Sequence, residues 1–323
     1  MDLLPTSEQE EIVGSIASVI AGNHTLGEPL DDRLWDAAVA QGWLGLGLEE
    51  AFGGVGYSLA EEVLLFQELG RACVPGPFLA TVLAARVAAE AGETELAARL
   101  VAGEARVGLA ERWNDEKFSV LDAESATIAL LVDGDRVALV DLDGVALEHI
   151  PSFDTLVPVA LAIDLDESAP LATAPDGEAL LRRGALLVAA MLAGMARATT
   201  EQSVSYGIDR EQFGQPVGGF QAVKHRCADM ATRAEAAMCQ VYYAALALRD
   251  GRDDAQFHAH AARVVAARAA IDNAQINVQN HGGIGFTWEH TAHRYVTRSR
   301  VYGSALGTTH GHLGETLAAS APH

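Results

Sequence analysis

Half of the 323 residues are hydrophobic, enough to fill two or three packed domains without disulfide staples. The 44 acidic residues against 22 basic ones leave a formal charge of -22, which opposes non-specific attraction to nucleic acid or to an anionic membrane surface. No stretch approaches the roughly eighteen uninterrupted apolar residues of a membrane span, and residues 1–12 are acidic where a secretory signal is basic and then apolar, so the expectation is a cytoplasmic protein.

From Glu8 to about Ala102 apolar residues recur at helical spacing, as in Ile12, Ile16, Val19 and Ile20, then Leu34, Ala37 and Ala38. Pro29, the glycines of residues 52–56 and Pro75-Gly76-Pro77 interrupt the pattern, so several short helices are expected in a domain spanning 1–103. Between 104 and 175 the pattern changes to short β-branched and aliphatic runs, and Ala126–Val132 and Arg136–Leu142 flank Asp133-Gly134, a hairpin signal. About five or six strands fit a segment of that length. From 176 to 323 the helical period returns in three long stretches, Glu178–Gly207, Val217–Leu248 and Asp254–Asn280, which predict an antiparallel bundle. In the second of them Phe220, Val223, Cys227, Met230 and Ala234 form one apolar stripe. The fold class is therefore mainly α with a small β domain.

Cys73, Cys227 and Cys239 have no metal-ligand spacing and are expected to be small buried apolar groups. His258 and His260, two residues apart on a helix, point away from each other and do not form a metal pair. Arg294, Arg298 and Arg300 share most of one helical face and are expected to be salt-bridged.

Three groups of residues occur together and in order. The first is Trp43-Leu44-Gly45-Leu46, Phe52-Gly53-Gly54-Val55-Gly56 and Glu68-Leu69-Gly70-Arg71. The second is Arg210-Glu211-Gln212-Phe213-Gly214-Gln215-Pro216 with the helix start that follows it, and the third is residues 279–287, which hold Gln279, Gly282 and Gly283. Arg210 and Phe213 put a fixed cation and an aromatic edge at a turn between helices, suited to a pyrophosphate and the sugar or base beside it. A glycine pair lets backbone approach a ligand closely and bares its amides. The alternative for Arg210 is a local pair with Asp209 or Glu211, with the glycines merely turning the chain. In this order and spacing the chain resembles the acyl-CoA dehydrogenase family along almost its whole length. The resemblance implies an N-terminal helical domain, a shortened middle β domain and a C-terminal four-helix bundle. It also implies that Arg210, Gln212, Phe213, Gln279, Gly282 and Gly283 contact the ADP half of an FAD held by a neighbouring subunit.

The departures from the family pattern carry as much weight. Where family members place their catalytic glutamate, this chain reads Ser304-Ala305-Leu306-Gly307-Thr308, with leucine at the base position. Other members carry the glutamate on the first long helix of the bundle, which corresponds to about Gly184, between Arg183 and Ala185. Neither residue can accept a proton. The loop that seats the flavin ring in the family is replaced by Leu109-Ala110-Glu111-Arg112-Trp113-Asn114-Asp115. Its own ring seat is therefore expected to be missing, unless Trp113 or Asn114 substitutes.

Within the family, short chains without the base resemble one subunit of the actinobacterial heterotetrameric enzymes that act on the CoA esters of sterol side chains, cholesterol among them. That resemblance implies α,β-dehydrogenation of an acyl-CoA substrate by a complex in which a second acyl-CoA dehydrogenase subunit supplies the glutamate. An electron-transfer flavoprotein would accept the electrons, and one FAD would serve each unlike pair. Two alternatives stay open: a self-sufficient homomeric enzyme whose base is a residue such as Asp229 or Glu201, or a flavin-free scaffold.

Overall fold

The computed structural model describes residues 5–319, so the first four residues of the acidic N-terminal stretch lie outside them. Five helices follow the predicted interruptions: α1 (Ser7–Asn23), α2 (Asp32–Ala40), α3 (Leu59–Arg71), α4 (Phe78–Glu90) and α5 (Thr94–Val101). Ile16 and Ile20 of α1 and Leu34 and Ala38 of α2 are buried, as their spacing requires. Asp31 starts α2 by accepting the Arg33 amide at 2.8 Å, which satisfies one of the donors a helix start leaves open. The Trp43 and Phe52 motifs knit together through backbone bonds from Val55 N to Gly45 O (3.0 Å) and from Tyr57 N to Leu46 O (3.0 Å). Their role is to build one loop.

Seven strands follow: β1 (Val107–Arg112), β2 (Lys117–Leu121), β3 (Ile128–Asp133), β4 (Arg136–Asp141), β5 (Ala146–Ile150), β6 (Val159–Ile163) and β7 (Ala172–Thr173). They form one sheet in the order β5-β6-β2-β1-β3-β4-β7, antiparallel throughout except for β1 against β3. The count exceeds the expected five or six because β7 is a two-residue edge strand with no sequence signal of its own. The hairpin forms where Asp133-Gly134 marked it: Asp133 pairs with Arg136 across a two-residue turn. One core cluster takes Ala110, Phe118, Val120, Ala129, Leu131, Val140, Ala160 and Ala162. β1 and β3 each carry four consecutive buried residues and pack against α4, which explains why they read as continuous apolar runs rather than alternating ones.

The chain returns to helix in α6 (Gly177–Asp209), crosses a two-stranded ribbon of β8 (Glu211–Gln212) and β9 (Gln215–Pro216), and continues in α7 (Gln221–Arg249) and α8 (Ala255–His281). Two shorter helices close the described chain, α9 (Ala292–Tyr302) and α10 (Thr309–Ala318). By length and composition α6 could cross a membrane, although no such stretch was expected; 78% of its apolar window is buried in the protein, as in a core helix. Where α3 crosses α6, Gly70 lies against the backbone of Met191 and Gly194 against that of Gln67, so a side chain at either glycine would force the helices apart.

Buried amides lock the long helices in register. Asn273 of α8 donates to Ala196 O (3.2 Å) and Thr200 Oγ1 (3.2 Å) on α6 and to Met230 O (2.9 Å) on α7. Replacing Asn273 by leucine is expected to lower stability by about 2–4 kcal/mol. The check is a lower denaturant midpoint at unchanged slope. The stripe on α7 runs as predicted, partly buried at Phe220, Val223 and Cys227 and fully buried at Met230 and Ala234.

The cysteines correct the expectation of uniform burial, since Cys73 is buried, Cys227 half-buried and Cys239 exposed. Alanine-rich α7 leaves one flank to solvent, and a small apolar residue there is not evidence of core. The Cys239 thiol donates to Glu235 (3.6 Å), and partial burial followed by the Glu235 charge raises its pKa, so it is a poor nucleophile. The arginines of α9, expected to be salt-bridged along one helical face, differ in their surroundings. Arg298 is buried and donates to Cys73 O (3.1 Å) and Val74 O (2.8 Å), capping the end of α3, while Arg294 lies over the Trp288 ring at 5.4 Å.

Candidate functional site

The ribbon between α6 and α7 presents the first group of predicted residues. Arg210 and Gln212 are exposed, and the turn joining the two short strands is Phe213-Gly214, both in the left-handed region at φ 54° and φ 80°. Two positive φ values in succession define a tight turn that matches strand twist, and glycine meets that demand without strain. A phenylalanine there is strained, and its ring is 93% exposed, touching Phe220 edge-on at 6.1 Å. A strained backbone that holds a large apolar ring in water points to a ligand or partner rather than to packing.

Neither local pair weighed for Arg210 forms. Asp209 accepts the Ser205 hydroxyl (3.3 Å), Gln212 donates to Glu211 O (2.8 Å), and among the described residues Arg210 makes no ion pair. Arg210 is thus a predicted cation left open, among the described residues, to an anionic ligand at the end of α6.

The second group sits at the end of α8. Gln279 is exposed, and the helix stops at Gly282, whose φ 65° and ψ -141° are open only to glycine. A Cβ built on Gly282 or Gly283 would meet nothing within 4 Å, so the backbone there is open on its Cβ side, with Gly282 half-buried and Gly283 exposed. The ends of α6 and α8 are joined by contacts the sequence did not disclose. Ser203 donates to Asn277 Oδ1 (2.8 Å), and Asn277 donates to Gln202 Oε1 (2.8 Å). One turn further on, the Tyr206 ring packs on His281 with centroids 4.3 Å apart, and His281 packs in turn on His290 at 4.4 Å. Arg210 lies one helical turn beyond Tyr206, and His281 lies between Gln279 and Gly282, so the two predicted groups share one end of the helical unit. An open cation, a projecting aromatic ring and a glycine backbone open on its Cβ side together fit the pyrophosphate and adenosine of a dinucleotide.

Neither position at which the family carries its base, Leu306 or Gly184, holds a carboxylate. Leu306 is 6% exposed in a left-handed turn at φ 55°. That turn is held from below by Arg263, fully buried, which donates to Tyr302 O (2.8 Å), Ala305 O (3.2 Å) and Gly307 O (3.5 Å). His312 of α10 bonds Leu306 O (3.0 Å) through Nε2 and His260 through Nδ1 (3.0 Å). Gly184 is buried in α6, and its neighbour Arg183 is ion-paired with the buried Glu62, which also faces Arg86 at 3.9 Å. Burial pushes the Arg183 pKa down and the Glu62 charge opposes that shift. Glu62 is thus a structural counter-ion. Glu201, considered as a substitute base, lies between Arg71 (3.0 Å) and Arg197 (3.0 Å), and Asp229 is exposed on α7.

The segment where the resemblance would put a flavin loop, residues 109–115, ends β1 at Arg112 and enters a short turn. Trp113 N and Asn114 N both bond Lys117 O (2.9 and 3.2 Å), and Asn114 Oδ1 accepts the amides of Glu116 (3.0 Å) and Lys117 (2.9 Å). Arg112 pairs with Asp133 (2.7 Å) and Glu167 (2.9 Å) over the Phe118 ring. The turn spends these polar groups on itself. A cavity of about 500 Å³ lies elsewhere, between α1 and α2, lined by residues such as His24, Glu28 and Arg33, and none of the predicted site residues borders it.

Comparison with known proteins places the chain. The acyl-CoA dehydrogenase N-terminal domain model matches residues 10–106, and the acyl-CoA dehydrogenase C-terminal domain model matches residues 178–319. The chain belongs to the acyl-CoA dehydrogenase family, FAD-dependent oxidoreductases that act on CH–CH bonds. Among individual relatives, it is 36% identical over 284 residues to acyl-CoA dehydrogenase FadE34 of Mycobacterium tuberculosis, a match covering 82% of this chain and 39% of FadE34. The chain thus spans well under half the length of that relative. It is 31% identical to acyl-CoA dehydrogenase IpdE2 of Mycolicibacterium smegmatis over 93% of this chain and 95% of IpdE2. The Tcur3481-Tcur3483 steroid ACAD, G363A variant, superposes with a TM-score of 0.84 at 26% identity, covering 96% of this chain and 97% of that one.

Proposed function

We propose that this chain is the non-catalytic half of a heteromeric acyl-CoA dehydrogenase that introduces an α,β double bond into a CoA thioester. In this reading Arg210 holds the pyrophosphate of an FAD whose ring is seated on a partner subunit, while Gln212, Phe213 and Gln279 flank its adenosine and the Gly282-Gly283 backbone approaches it. Bound flavin supplies the hydride acceptor. The proton leaves the α-carbon to a glutamate of the partner, because leucine and glycine stand at the two positions where this chain would carry one.

The observation that carries the reading is Arg210, a cation with no carboxylate partner among the described residues, beside a strained and exposed Phe213. In a chain with a charge of -22, an anionic cofactor can be held only where such a group reverses the local field. The self-spent turn at Trp113–Glu116 supports a ring seat on another chain, and the exposed Val204, Ile208, Phe286 and Trp288 flank the two clamp segments as a partner surface would. A steroid side-chain acyl-CoA is the proposed substrate, on the name of the Tcur3481-Tcur3483 structure. An α2β2 assembly and an electron-transfer flavoprotein as electron acceptor complete the proposal.

Affinity purification of the tagged chain from its own host tests this. The expected product is a yellow complex with a second dehydrogenase subunit and one FAD per unlike pair, while the isolated chain is colourless and inactive in a dye-coupled assay. An isolated chain that binds stoichiometric flavin and desaturates a thioester would overturn it, and a colourless complex would favour a scaffold.

A further inference from the structure

The ring stack at the clamp contains a titratable group that neither the nucleotide contacts nor the missing base accounts for. His281 is 5% exposed and lies between Tyr206 on α6 and His290 on the segment after α8. Its Nδ1 stands 2.8 Å from the Asn277 carbonyl, an acceptor, so Nδ1 carries the proton and Nε2 holds the lone pair of the neutral ring. His290 Nδ1 accepts the Ala292 amide at 3.1 Å, which places its proton on Nε2. Among the described residues the titratable groups facing His281 are these two rings, with no carboxylate to favour a cation. Burial, with the neighbouring His290, keeps its pKa below the ordinary histidine value, against the Asn277 bond.

We infer that His281 is a positioning residue of the nucleotide clamp: its neutral ring, wedged between Tyr206 and His290, fixes the end of α6 that leads to Arg210 against the turn that carries Gln279, Gly282 and Gly283, and a charge on that ring loosens the grip. The inference rests on the clamp reading above. An imidazolium at His281 would be a buried charge with only ring faces beside it, and the stack joins α6 to the end of α8 one helical turn before Arg210. A neutral aromatic ring of similar size would hold the geometry without the sensitivity to acid.

The test uses the complex purified on the tagged chain, with flavin release followed by fluorescence. In the native complex, release accelerates by about fivefold from about pH 7.5 to about pH 5.5. His281→Ala releases flavin about tenfold faster at neutral pH. His281→Phe stays within about twofold of native at neutral pH and loses the acid acceleration. Imidazole nitrogen NMR of the free chain shows His281 neutral at pH values where exposed histidines are already charged. Arg210→Ala is the reference. If it sheds flavin while His281→Ala retains it, the positioning role is wrong and the clamp stands. If Arg210→Ala retains flavin, the clamp reading fails and takes this inference with it. Persistence of the acid acceleration in His281→Phe also overturns the role given to His281.

Discussion

Replacing Arg210 by alanine is expected to strip the assembled complex of its flavin while leaving the fold intact. A charge-assisted contact to a phosphate is worth about 1.5–3 kcal/mol, so release should accelerate by roughly 10- to 150-fold. The fold should not register the change, because Arg210 is exposed and enters no ion pair among the described residues; its thermal stability should move by less than about 0.5 kcal/mol. Arg210→Lys should recover only part of the retention, since an ammonium keeps the charge and loses the planar fork that grips two phosphate oxygens. Flavin counts and melting curves on the same preparations separate these effects. Full retention in Arg210→Ala would remove the residue from the site.

The largest loss of stability is expected at Arg263. Its guanidinium is fully buried and gathers the carbonyls of Tyr302, Ala305 and Gly307 around one nitrogen, holding the turn in which Leu306 adopts φ 55°. Arg263→Leu leaves those carbonyls without the cation and opens a gap beneath the turn, a loss of about 3–5 kcal/mol. A second readout identifies the cause. Burial chiefly, and then the Arg263 charge, holds His312 down to about 4 from 6.5. A histidine kept neutral in the fold contributes stability that is complete above pH 6.5 and is lost as pH falls from 6.5 toward about 4. Removing Arg263 takes away one cause of the depression, so the variant should lose less stability over that acid interval even though it is weaker at neutral pH. Denaturant midpoints measured across pH check both. A variant as stable as the native protein would mean that the turn needs no cation.

Much of the candidate site was legible residue by residue. Leu306 and Gly184 lack a carboxylate whatever surrounds them, and the Arg210, Gln279 and Gly282-Gly283 segments are short runs whose order along the chain carries their meaning. The Asp133-Gly134 hairpin and the three long helices were equally local, since turn chemistry and a 3.6-residue period are written within a few neighbouring positions. Less was visible where burial depends on which flank of a helix is covered. Cys239 was expected inside and is exposed, while Arg298, expected to be salt-bridged, is buried against the carbonyls of Cys73 and Val74. Residue type did not decide either position; the docking of the helices did.

What the sequence alone determined, then, is the three long helices, the Asp133-Gly134 hairpin, the family pattern and the residues at the two expected base positions. Tertiary structure alone decided how the buried polar groups are matched: Tyr206 against His281 and His290, Asn273 across three helices, Arg263 beneath residues 302–307 and Glu62 between Arg86 and Arg183. Periodicity reports that a face is buried, but a buried hydrogen-bonding group takes its partner from whatever segment packs on it, often dozens of residues away. It was likewise the closed turn, rather than the residue types, that put Phe213 in a strained conformation with its ring in solvent.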